Sequence, residues 1–149
     1  MQNWYEGVIR YEKVTEEGKV KKVNELYLVD ALSATECEAR LIEEMTPFIT
    51  GEFAVKSVKE SNYSELFLSE EATADRYFKC KLIFITLDEK SGAEKKTSTQ
   101  VLVQAADLRD AVNKLDGGMK GTMADYQICS VAETAIMDVY LYNNNNNNQ

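Results

Sequence analysis

Paired lysines, and strands that mix rings with cations, are the residue patterns in this sequence that could do chemistry. Lys21-Lys22 and Lys95-Lys96 each follow a glycine turn, so two ammonium pairs could grip phosphates or an acidic partner. The plainer alternative is solvated charge beside a turn. Trp4, Tyr5, Tyr11, Tyr77, Phe78 and Phe84 are interleaved with Arg10, Lys13, Arg76, Lys79 and Lys81. Single-stranded nucleic acid is often held by such surfaces, through base stacking over a positive groove. Strand alternation divides these residues. Tyr5, Gly7, Ile9 and Tyr11 fall on one face, with Trp4, Glu6, Val8 and Arg10 on the other. Lys79, Lys81, Ile83 and Ile85 oppose Phe78, Cys80, Leu82 and Phe84. Most of the rings are therefore expected in a core, and Lys79 with Lys81 forms the local basic face. The candidate nucleic-acid or anion contacts are Lys79, Lys81, Lys21, Lys22, Lys95, Lys96 and Arg10.

Several chemistries are excluded by composition. The chain has no histidine, so no histidine base is available, and no catalytic set is expected. Its cysteines, Cys37, Cys80 and Cys129, are odd in number, far apart and without a C-x-x-C pair, which excludes a usual zinc site. Buried reduced thiols are expected instead. Glu36 with Glu43 or Glu44 could offer carboxylate oxygens to Mg²⁺. No metal-type cluster recurs among Glu38, Asp107, Asp110 and Asp116, and solvated helix faces are the better reading. Asp116-Gly117-Gly118-Met119-Lys120-Gly121-Thr122 lacks the phosphate-loop spacing and follows a helix, so it reads as a helix exit. No metal and no cofactor are expected. A net charge of -8 argues against a broad nucleic-acid footprint while leaving room for a local basic groove.

The elements that would position these residues come in two similar copies. When Gly18 is laid on Gly92, Lys21, Lys22, Leu28, Val29 and Ala31 fall on Lys95, Lys96, Leu102, Val103 and Ala105. Ser33, Leu41 and Met45 fall on Asp107, Leu115 and Met119. After a one-residue slip, Val55 to Glu60 meets Ile128 to Glu133, and Glu65-Leu66-Phe67-Leu68 meets Asp138-Val139-Tyr140-Leu141. Trp4-Tyr5 meets Tyr77-Phe78, and Tyr11 meets Phe84. Tandem duplication is the simplest account.

Each copy predicts a hairpin, a helix and a final strand. The first strands span Trp4 to Val14 and Tyr77 to Leu87, rich in aromatic and β-branched residues. Polar turns with Gly18 and Gly92 lead to return strands, Val20 to Ala31 and about Lys96 to Ala105. Ser33-Ala34-Thr35-Glu36 has capping-box spacing, and Asp107 supplies the second N-cap. Ala34, Cys37, Leu41 and Met45 then recur at helical spacing, as do Leu108, Ala111 or Val112, and Leu115. Pro47 and Gly117-Gly118 mark the helix ends. The final strands are expected over Phe53 to Ser69, with a break near Ser61-Asn62 allowed, and over Tyr126 to Tyr142. The link Ser69 to Asp75 reads as a loop or one helical turn.

The expected class is α+β: a duplicated β-β-α-β unit, antiparallel sheets with one helix per repeat on a face, and pseudo-twofold symmetry. Residues 1–142 are expected as one domain of two repeats, 3–69 and 76–142. Residues 143–149 are expected as a disordered asparagine-rich tail. No apolar run approaches the roughly 20 residues of a membrane helix, and Met1 to Glu6 is no signal peptide. A cytoplasmic monomer or homodimer without membrane contact is expected.

Longer stretches are specific enough to compare with a family. They are Trp4-Tyr5-Glu6, Tyr27 to Ser33, Ile42-Glu43-Glu44-Met45-Thr46-Pro47-Phe48-Ile49, Phe84 to Lys96 and Gly118 to Tyr126. Through them the chain, from Met1 to Tyr142, resembles a family of Bacteroidetes and their phages, including crAss-like phages, catalogued as domain of unknown function 4494. The resemblance implies a setting (a bacterium, its phage or a mobile element) and carries no site residues. A non-enzymatic binding or accessory protein is expected, with a protein or small-molecule partner at the seam between repeats. The alternatives are a nucleic-acid-associated phage protein using Lys79 and Lys81, and a small enzyme with a Lys/carboxylate site.

Overall fold

The computed structural model describes residues 3–122 and 125–141. In chain order they form β1 (Trp4–Val14), β2 (Val20–Asp30), α1 (Ala34–Met45), β3 (Phe53–Glu60) and β4 (Tyr63–Phe67). There follow β5 (Arg76–Leu87), β6 (Glu94–Ala105), α2 (Leu108–Gly118), β7 (Asp125–Glu133) and β8 (Ile136–Tyr140). The protein is mixed α+β, with two helices and two mainly antiparallel sheets among the described residues. Contacts divide it into two compact units. One combines the chain up to Ser61 with the stretch from Ala135 onward; the other is Asn62–Thr134.

In the first unit the sheet order is β3-β1-β2-β8. β1 pairs antiparallel with β2 and β3, and β8 lies parallel on β2. Alternation sends Tyr5, Gly7 and Ile9 toward α1, where they pack with Tyr27, Val29, Cys37, Leu41 and Met45. Three helical positions at i, i+4 and i+8 (Cys37, Leu41, Met45) supply the buried stripe. Gly7 lets the helix approach, because a β-carbon there would overlap the Leu41 side chain.

The second unit has the order β4-β6-β5-β7, with β4 parallel on β6. Its core gathers Phe78, Cys80, Leu82, Val101 and Val103 beneath Ala111 and Leu115 of α2. The units share local detail. Register slips occur between Val8 and Ile9 and between Lys81 and Leu82, where strand matches strand in the sequence comparison. Gly18 and Gly92 turn the hairpins at φ 81° and 71°.

Both helices are capped as expected, with one difference. The Ser33 hydroxyl accepts from the Glu36 amide (3.1 Å), but Glu36 Oε1 has no hydrogen-bond partner, so the reciprocal arm of the box is missing. In α2, Asp107 accepts from the Asp110 amide (2.8 Å), and Asp110 accepts from Ala106 (2.9 Å), one residue before the cap. Leu108 and Ala34, placed in the apolar stripes by spacing, are exposed instead.

The expected final strand Phe53 to Ser69 does break at Ser61-Asn62, and the one expected over Tyr126 to Tyr142, given as unbroken, is also two strands. Just past the end of β3, the Ser61 amide and hydroxyl both donate to the Trp4 carbonyl (2.8 and 3.1 Å). Thr134 makes the same pair of bonds to the Tyr77 carbonyl past the end of β7 (2.8 and 2.9 Å). Beyond these residues β4 and β8 each join the sheet of the other half. The compact units therefore do not follow the 3–69 and 76–142 repeat boundaries. Each arriving strand is held by a cation from the local helix. Arg40 donates to the Asp30 carbonyl and to Leu141 O (2.7 Å); Lys114 donates to Ser69 Oγ (3.3 Å) and pairs with Glu71 (3.6 Å). The Ser69–Asp75 link is a turned loop pinned by Gln104, whose amide bridges Ser69 N (2.9 Å) and Ala74 O (2.8 Å). Tyr142 and the asparagine tail lie outside the described residues.

Candidate functional site

Two places gather the cations singled out by sequence, one in each unit. In the second unit, Lys79 and Lys81 project from β5 on the sheet face opposite α2, both exposed. Their cross-strand neighbours are uncharged: Leu102 and Gln100 on β6, Ala132 and Ser130 on β7. Lys96, opposite Ile85, shares this face by register, whereas Lys95, opposite Thr86, belongs to the other. Lys79 Nζ lies 5.9 Å from the centre of the Tyr63 ring, a cation–π arrangement. No carboxylate among the described residues comes within ion-pair distance of Lys79, Lys81 or Lys96. Glu94 and Asp125 lie toward the far end of the same face.

The aromatic rings do not join this face as a stacking platform. Trp4, Tyr5, Tyr77 and Phe78 are 5%, 9%, 5% and 2% exposed, too little for a base to reach. Trp4 and Tyr77 are buried although alternation placed them opposite the helix-covered rings.

In the first unit, Arg10 and Lys22 line a groove of about 600 Å³ at the end of the β1–β2 hairpin. Its origin is a mismatch of strand lengths. β1 runs to Val14, but its edge partner β3 begins at Phe53, opposite Tyr11. The hairpin thus overhangs, and Thr50-Gly51-Glu52 forms the facing wall, turned by Gly51 at φ 96°. Val14 and Val20, 67% and 63% exposed, supply apolar surface, and Glu12 and Glu52 add carboxylates. Neither Arg10 nor Lys22 has an ion-pair partner among the described residues. Lys21, opposite Lys13, is on the other face.

A tyrosine cluster in the first unit was not legible from spacing. Tyr11 and Tyr27 both donate to the Glu25 carboxylate, at 3.0 and 2.9 Å, and Tyr27 stacks on Tyr140 with ring centres 5.5 Å apart. Burial first, then the Glu25 hydrogen bond, holds the Tyr27 phenol far above its ordinary range. Burial, with Asp138, Glu44 and Glu25 nearby, pushes Tyr140 up to about 12. These phenols remain protonated donors. The matching positions in the second unit are Phe84, Thr99, Val101 and Phe67, which offer neither a phenol nor a carboxylate. That Tyr-for-Phe difference was the available signal.

The remaining candidates have structural surroundings. Cys37 and Cys80 are buried, and burial pushes both thiols up to about 11; Cys129 is exposed at the β7 irregularity. Asp110 is held below the usual carboxylate range by the Ala106 amide and then by Lys114. Asp116 accepts from Tyr126 (3.1 Å), and Gly117-Gly118 form the last turn of α2, so the glycine-rich stretch is a helix exit. No group of three or more potential metal ligands occurs among the described residues. No helix among them is long and apolar enough to cross a membrane. A family model described as a domain of unknown function (DUF4494) matches residues 3–142. No curated protein matches the chain.

Proposed function

We infer a function from the premise that this chain belongs to the DUF4494 family, whose description assigns no activity. The reading supported best is a non-enzymatic binding or accessory protein that takes a small molecule or a short protein segment. One observation carries it: the hairpin groove gathers two cations, without ion-pair partners among the described residues, beside exposed valines. Concave sites of roughly 300–1,000 Å³ with apolar walls and a few polar groups are how small ligands are commonly held. An anionic head would meet Arg10 and Lys22, and an apolar body would lie on Val14 and Val20. Glu12 and Glu52 favour a ligand that also presents a donor.

Burial holds the phenols of the tyrosine cluster and the thiols of Cys37 and Cys80 toward their neutral forms. Native mass spectrometry of the full chain tests the proposal, and it also reads monomer or homodimer. Extra mass on the wild type that disappears in Arg10→Ala/Lys22→Ala is the expected result. A bare wild-type mass, or an adduct indifferent to the double substitution, overturns it.

The two units derive from tandem duplication in this reading, supported by their equivalent register slips, hairpin glycines and end-of-strand hydroxyls. The resemblance to proteins of Bacteroidetes and their phages supports a setting in the cytoplasm of such a bacterium.

A further inference from the structure

We propose that the face of the second unit's sheet bearing Lys79, Lys81 and Lys96 docks a nucleic-acid phosphate backbone, without base stacking. The placement argues for this in three steps. First, Lys79 and Lys81 are two residues apart on one strand, hence about 6.6 Å apart along it, a reach suited to neighbouring phosphates. Lys96 extends the charge onto the adjoining strand. Second, all three ammonium groups lack ion-pair partners among the described residues; Gln100, Ser98 and Ser130 flank them with hydrogen-bonding groups, and the carboxylates of this face, Glu94 and Asp125, lie toward the Lys96 end, away from Lys79. Third, the feature is local to one unit. The positions matching Lys79 and Lys81 in the first unit are Glu6 and Val8, so this is no general property of the fold.

The occupant follows from charge and from what is absent. A chain of net charge -8 repels polyanions overall, so an anionic partner is attracted only where basic charge is gathered locally, as on this strip. The buried rings remove the stacking that sequence-tolerant single-strand binders use, leaving an electrostatic contact with phosphates. Such a contact does not read sequence.

Fluorescence anisotropy of the full chain with a labelled oligothymidine, and with an abasic strand of equal length, tests the proposal. The two strands are expected to bind equally, since no base is gripped. With three phosphates neutralised, the salt slope is about -2, so a fourfold rise in salt weakens binding roughly fifteenfold. Lys79→Glu/Lys81→Glu should weaken binding tenfold or more and flatten the slope. Lys79→Gln/Lys81→Gln should fall between, and circular dichroism of both variants checks the fold. Absence of binding at low salt, indifference to the charge reversal, or marked preference for the base-bearing strand overturns the proposal. Capture by phosphatidylglycerol vesicles in place of either strand assigns the face to a membrane surface and overturns it too.

Discussion

Small residues and hydroxyls decide much of this structure. Gly7 admits α1 to the sheet, while Cys80 occupies the matching strand position in the second unit. Gly7→Ala forces Leu41 from its place in a close-packed core. The expected cost is about 1–3 kcal/mol, read as a lowered urea midpoint with unchanged slope. The tyrosine cluster predicts a pH response. Tyr140 is raised from 10.0 to about 12, so its contribution is fully present below pH 10 and is lost as pH rises toward 12. Stability should therefore fall across that alkaline window, with phenolate absorbance appearing alongside the loss. Tyr140→Phe should flatten the fall; an unchanged pH profile in that variant would remove the assignment.

At the scale of elements, the strands and helices were largely legible, and their partners were not. Alternation marked Trp4–Val14, the Gly18 turn led to a return strand expected to Ala31 and observed to Asp30, and Ser33 and Asp107 announced their helices, because periodicity and capping are local. The break near Ser61-Asn62 was legible, but the matching division after Glu133 was not, nor the new partners of β4 and β8. Ser61 and Thr134 bond to carbonyls of Trp4 and Tyr77, distant in sequence, and nothing in Tyr63–Phe67 names β6 as its neighbour. The candidate site shows the same limit. Lys79 and Lys81 share a face by simple alternation, but Lys96 joins them only through strand register. The pairing of Arg10 with Lys22 at a groove needed the late start of β3. Arg40 gives a test of the arriving strands: Arg40→Ala removes the donors to Asp30 O and Leu141 O. A loss of about 1 kcal/mol is expected, seen as roughly fivefold faster amide exchange over Ile136–Tyr140.

For the whole molecule, the chain passes from one unit to the other after Ser61 and returns after Thr134. Each sheet thus contains a strand from the opposite half of the sequence, but the second is completed by contiguous chain and the first is not. Calorimetry should show one cooperative transition rather than two, with calorimetric and van't Hoff enthalpies in agreement. Two resolved transitions would mean that the traded strands couple the units weakly.

The trade also sets an order of events during synthesis. Asn62–Thr134 contains every strand of its own sheet, so that unit can close as soon as it leaves the ribosome. The unit begun first must wait, because β8 is made only after all of Asn62–Thr134. Until then Leu26–Val29 of β2 presents an open backbone edge, the kind of surface that nascent chains must shield from one another.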